Sequence, residues 1–154
     1  MKTFDAPEML ETFRGNPWEF QQTFETPLDD LPSFVKTIVS AANPIQATSL
    51  TIDQAVFEPR NLIGMLANYS FPPQYQHGLC LTAAGQKEVE ELLSIVLSDW
   101  IDFLFVPEPQ SFAIYADHDE YTTFYARTPA KLNLIAAALT EQGFKSKPLY
   151  KRVF

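Results

Sequence analysis

Residues 111–127, SFAIYADHDEYTTFYAR, constrain this chain more than any other stretch. Two runs alternating aromatic, aliphatic and small residues flank four consecutive polar ones, Asp117, His118, Asp119 and Glu120. Period-two alternation suits strands with one face buried. A four-residue polar break is an ordinary hairpin loop, and Asp tolerates turn geometry by bonding its own backbone. The stretch therefore predicts a β-hairpin with an acidic, exposed tip. Residues two apart share a face, so Tyr121, Thr123 and Tyr125 lie opposite Thr122, Phe124 and Ala126, and Tyr115 lies opposite Phe112 and Ile114. One face is expected to be core and the other to present tyrosines, a residue type enriched at protein interfaces.

The flanking sequence extends this hairpin into a sheet. Residues 101–106, IDFLFV, are nearly continuous in apolar residues, as in a strand buried on both faces. Thr82 is a candidate cap for a helix with Val89, Leu92, Leu93, Val96 and Trp100 on one stripe. Thr128 and Pro129 give a cap and first-turn signal for another helix carrying Leu132, Ile135, Ala136 and Leu139, ending at Gly143. Residues 149–153 are expected to return as a last strand, with Lys145, Lys147, Lys151 and Arg152 protecting its edge.

Earlier residues are less legible. Asp29 or Asp30, Pro32 and the spacing of Leu31, Phe34, Val35, Ile38 and Ala42 predict a helix that stops at Asn43 and Pro44. Residues 47–57 fit strand or helix equally well, and Pro59 opens a further helix through Leu62, Ile63 and Leu66. The aromatic segment of residues 1–25 is expected to pack on the body. Residues 70–76, SFPPQYQ, read as an ordered proline-rich loop. The expected fold is α+β: a largely antiparallel sheet of about four strands, mostly from the C-terminal half, covered by helices, with a helical N-terminal half. With 154 residues the expectation is a single domain, 1–154.

Charge narrows the partners. Beyond residue 126 there are six basic residues against one acid, and before it five basic residues against eighteen acids, within a net −8. Such an acidic surface repels phosphate backbones, so no nucleic-acid binding is expected, whereas a basic protein would suit it. No run approaches the ~18 apolar residues that a membrane span needs, so no membrane association is expected. One cysteine, Cys80, forms no internal disulfide, and residues 1–13 lack the apolar core of a secretory signal, so a cytoplasmic protein is expected.

Three functions fit these residues. The first is an acidic protein-binding domain, immunity- or antitoxin-like, neutralising a basic partner through Asp117, His118, Asp119, Glu120, Tyr115 and Tyr121. The second is a metal-dependent or acid–base enzyme centred on the hairpin tip, with Asp117, His118, Asp119 and His77 as the only ligand set to consider. The third is a small-ligand sensor with an aromatic pocket. Cys80, between Leu79 and Leu81, reads as a buried structural thiol. No nucleophile elbow, P-loop or dinucleotide fingerprint occurs, and no catalytic residue, resident metal or cofactor is assigned. Either a monomer or a homodimer is compatible with the chain.

Overall fold

A computed structural model describes residues 1–42 and 44–154. The strands are β1 (Lys2–Asp5), β2 (Phe20–Glu25), β3 (Ala47–Ala55), β4 (Leu79–Ala84), β5 (Ile101–Glu108), β6 (Ala113–Ala116) and β7 (Tyr121–Ala126). The helices are α1 (Pro7–Gly15), α2 (Leu31–Ala41), α3 (Arg60–Asn68), α4 (Gly85–Ser98) and α5 (Pro129–Glu141). The seven strands form one sheet in the order β1-β4-β3-β5-β6-β7-β2, with every neighbouring pair antiparallel. The architecture is α+β. None of the described helices is long and apolar enough to cross a membrane.

Two expectations about the fold are corrected. The sheet has seven strands rather than about four, and the first half of the chain is not mainly helical, since it contributes β1, β2 and β3. The reason is that these strands are specified from a distance. β2 pairs with β7 in a register that sets Phe24 opposite Thr122, and β1 pairs with β4, setting Phe4 opposite Cys80. Four-residue β1 is an edge strand with little apolar content of its own. In β3 a register shift between Ile52 and Gln54 breaks the alternation, which is why that segment fits two periods at once.

Thr82 does not cap α4; it lies within β4. The helix starts at Gly85, whose φ of +80° turns the chain directly out of the strand. Glu88 reaches back so that its carboxylate accepts the Ala84 N–H at 2.9 Å, the reciprocal half of a capping box. Residues 149–153 form no strand either. The chain touches the β2 edge only briefly: Glu25 N–H donates to the Lys145 carbonyl at 2.9 Å and Lys147 N–H to the Thr23 carbonyl at 2.7 Å. Beyond this, residues 150–154 lie across the face of the sheet.

The two faces of the sheet bury different cores. Helices α2, α3, α4 and α5 cover one face, packing Phe34, Ile38, Leu66, Leu92, Val96 and Leu139 on Leu50, Ile52, Phe103, Phe105, Ile114 and Phe124. The opposite face is covered by α1, Trp18 and residues 150–154, over a smaller cluster of Leu10, Phe13, Leu104, Ala113, Tyr115 and Tyr125. Because β5 alternates Phe103 and Phe105 with Leu104, it feeds both cores, as its unbroken apolar run requires.

Candidate functional site

The β6–β7 hairpin turns its acidic residues in different directions. Asp117 closes the loop: its N–H donates to the Tyr121 carbonyl at 3.0 Å, and its Oδ1 accepts the N–H groups of Asp119 and Tyr121 at 2.9 and 3.2 Å. Its other oxygen takes Arg152 Nη1 at 2.7 Å, and the two side chains are only 11 % and 8 % exposed. Asp117 is thus committed to the interior. Asp119 and Glu120 remain exposed at the tip.

His118 is also anchored inward. Asp102, near the start of β5, accepts the His118 backbone N–H at 2.7 Å and lies 2.9 Å from its ring Nδ1. A carboxylate at Nδ1 places the proton there in the neutral ring, and Nε2 lies 3.9 Å from Asp119 Oδ1. The hydrogen bond to Asp102 pushes the imidazole pKa above its ordinary value, against the opposing effect of burial. Burial pushes the Asp102 carboxyl up as well, although the bonds from His118 pull it down. The pair therefore holds a proton more firmly than either group would alone.

His118, Asp119 and Glu120 form one side of a cleft of about 560 Å³, completed by Phe57 and Trp100. Phe57 is 57 % exposed. Trp100 follows the end of α4 and has a φ of +59°, and Glu120 has a φ of +71°. Left-handed backbone is uncommon for residues other than glycine and a genuine outlier for a bulky one. Among the described residues only Ser70 shares this property, so two of three such residues line one cleft. Two aromatic rings and two exposed carboxylates in this arrangement suit an organic cation, attracted by ring faces and by charge.

A second polar cluster is centred on Asp53 at the end of β3. Arg14 Nη1 lies 3.1 Å from Asp53 Oδ2, His77 Nδ1 lies 3.1 Å from Oδ1, and the Tyr115 hydroxyl donates to Oδ2. Burial is the main cause that raises the Tyr115 phenol pKa far above its ordinary value, reinforced by Asp53. Tyr115 is buried, and Tyr121 is half-buried against Tyr150 with ring centroids 4.6 Å apart, so neither ring lies open on the surface. His77 and His118 are held by different carboxylates, Asp53 and Asp102. Among the described residues no group of three or more His, Cys, Asp or Glu side chains is placed to hold a metal ion. Cys80 is buried, and burial raises its thiol pKa, which disfavours a thiolate nucleophile.

A further groove of about 560 Å³ is lined by α1 and the sheet, with apolar Met9, Phe13, Trp18, Leu104 and Val106 and charged Glu8, Glu108 and Arg127. Arg127 is stacked over Trp18 at 4.3 Å.

Sequence reasoning found the tip but not its partners. Asp102, Trp100, Phe57 and Arg152 come from other elements, and only Asp102 left a signal, as a charge inside an otherwise apolar run. No family model, curated protein or solved structure matches this chain.

Proposed function

We propose that this protein is a binding domain for a basic protein, an immunity- or antitoxin-like neutraliser. Its contact site is the cleft of Phe57, Trp100, His118, Asp119 and Glu120. The observation carrying this reading is the backbone at Trp100 and Glu120. Holding a residue in a sparsely populated region costs on the order of 1–3 kcal/mol, and such residues concentrate where a site is shaped for a ligand. Glycine would relieve both positions, yet the chain keeps an indole and a carboxylate there. A lysine or arginine side chain entering the cleft would meet ring faces and two carboxylates, and the acidic remainder of the chain would speed its approach.

The test is a pull-down from native lysate at low and moderate salt, using wild type and an Asp119→Asn/Glu120→Gln double variant. The expected result is a stoichiometric basic protein retained by wild type, weakened by salt and lost from the variant. A partner held equally by both proteins, or none at either salt, would sink the proposal.

A second reading has one specific observation in its favour. The Asp102 carboxylate holds Nδ1 of His118, a residue that lines the cleft, as the orienting group of a general acid–base histidine would. It requires that turnover of a substrate bound between Phe57 and Trp100 fall at least ~100-fold in His118→Asn. A panel of ester, amide and phosphoester substrates giving no turnover with wild type would remove it.

A further inference from the structure

Residues 150–154 do not behave as a strand or as a loose tail. Tyr150, Arg152 and Phe154 contact the sheet, Phe154 while still 39 % exposed, whereas Leu149 and Val153 are 97 % and 87 % exposed. The backbone is engaged by a side chain: the Gln21 amide accepts the Arg152 N–H at 2.8 Å and donates to the Arg152 carbonyl at 3.1 Å. This is how a protein grips a bound peptide, with a two-bond clamp on the main chain and pockets for alternate side chains.

The central pocket is built for a guanidinium. Arg152 Nη1 meets Asp117, Nε donates to the Thr123 hydroxyl at 3.0 Å, and the group lies 4.8 Å above the Tyr115 ring. Thr123 is fixed in turn by Thr23, their hydroxyls 2.7 Å apart, and Tyr115 by its bond to Asp53. On one side Tyr150 packs on Tyr121; on the other Phe154 packs between Phe13, Tyr115 and Tyr125. The Tyr125 hydroxyl on this face is buried and has no hydrogen-bond partner among the described residues. The enclosed fit is therefore complete for the guanidinium and incomplete beside it.

We propose that this face of the sheet is a groove for an extended peptide segment of the pattern aromatic-x-Arg-x-aromatic, that residues 150–154 occupy it in cis, and that a basic partner bearing such a segment displaces them. The groove shares the β6–β7 hairpin with the aromatic–acidic cleft but uses its inner carboxylate, Asp117, and does not depend on Asp119 or Glu120. It stands or falls independently of the function proposed above.

The probe is a dye-labelled peptide with the sequence of residues 148–154, PLYKRVF, titrated by fluorescence anisotropy against the full chain and against an Arg152→Ala/Phe154→Ala variant. Apparent affinity scales with the fraction of groove left open. The variant is expected to bind the peptide at least ~10-fold more tightly than wild type, and to lose that binding when the peptide arginine is replaced by alanine. In the Asp119→Asn/Glu120→Gln background the Arg152→Ala/Phe154→Ala pair should still raise peptide binding at least ~10-fold, which separates this groove from the cleft. A folded variant that binds no better than wild type overturns the proposal. So does a wild-type chain that light scattering finds to be a dimer with this segment exchanged, since the occupant would then be a second copy. Should the variant not fold, hydrogen exchange on wild type decides. The Arg152 amide is expected to exchange through local opening, well before the amides of β5. Exchange of both at one common rate, limited by global unfolding, overturns the idea.

Discussion

Asp99 caps a helix to which it does not belong: its Oδ2 accepts the Leu62 N–H at 2.7 Å across 37 residues of sequence. Its Oδ1 takes the Asn61 side-chain amide at 2.8 Å and the Asn61 backbone N–H at 3.3 Å. The residue before α3 is Pro59, which has no hydrogen-bonding side chain to offer, so the orphan N–H groups of the first turn depend on this buried carboxylate from the end of α4.

Asp99→Ala should therefore cost about 2 kcal/mol, the loss of a side-chain cap with the buried Leu62 N–H left unpaired. Urea unfolding monitored by far-UV circular dichroism measures it. Asp99→Asn should recover part of the loss, since an amide oxygen still accepts one bond. A change under ~0.5 kcal/mol in Asp99→Ala would show that α3 is held by Leu62, Met65 and Leu66 packing alone.

The Asp102–His118 pair makes a prediction about pH. The His118 pKa is raised in the folded state by its bond to Asp102. A group with a raised folded pKa contributes stability fully present below its unfolded value, near 6.5, and lost as pH rises through the folded value. Asp102 is also raised, first by burial, so its contribution has the same sign at lower pH. Wild type should lose stability from slightly acidic to slightly alkaline pH relative to His118→Gln. Unfolding midpoints across that range give the difference, and parallel curves for the two proteins would show that the pair carries no net linkage.

The parts of the fold legible in the sequence were those whose signals are local. The β6–β7 hairpin follows from period-two alternation around four turn residues. α5 follows from Thr128, whose hydroxyl accepts the Lys131 N–H at 3.3 Å, and from Pro129 in the first turn. β1 and β2 were not legible, because what makes them strands is pairing with β4 and β7. Residues 149–153 have the alternation of a strand, but it serves contacts with a sheet face rather than a ladder. At the hairpin tip Asp119 and Glu120 are exposed, as expected, and only Asp117 departs from the expectation. Asp117 looks exposed in sequence, and only the return of Arg152 shows it to be spoken for.

Glu120 offers a direct trial of the strain argument. Its side chain is exposed, while its carbonyl accepts the Thr26 N–H at 2.7 Å, a bond any residue can make. Glu120→Gly relieves a left-handed backbone costing roughly 1–2 kcal/mol, offset by roughly 0.5–1 kcal/mol of added unfolded-state entropy. The variant should be up to about 1 kcal/mol more stable than wild type and bind a cationic partner less well. A destabilised variant would mean that the carboxylate contributes to folding, and the positive φ at this position would no longer argue for a ligand.

Tyr125→Phe tests the opposite face. The ring is fully buried, edge-on to Phe13 at 5.0 Å and beside Phe154, and its hydroxyl lacks a partner among the described residues. Leaving such a group buried costs about 1–3 kcal/mol, whereas the ring contacts survive loss of the oxygen. The variant should therefore be more stable by at least about 1 kcal/mol. The gain should also be local. Where lifting residues 150–154 hydrates the Tyr125 hydroxyl, removing that hydroxyl deprives the open form of a compensating bond and favours the closed one. The Arg152 amide should then exchange more slowly in Tyr125→Phe by more than the rise in global stability alone accounts for. A loss of stability would mean the hydroxyl is hydrogen-bonded in solution after all, and equal slowing at every amide would mean that the segment opens without exposing Tyr125.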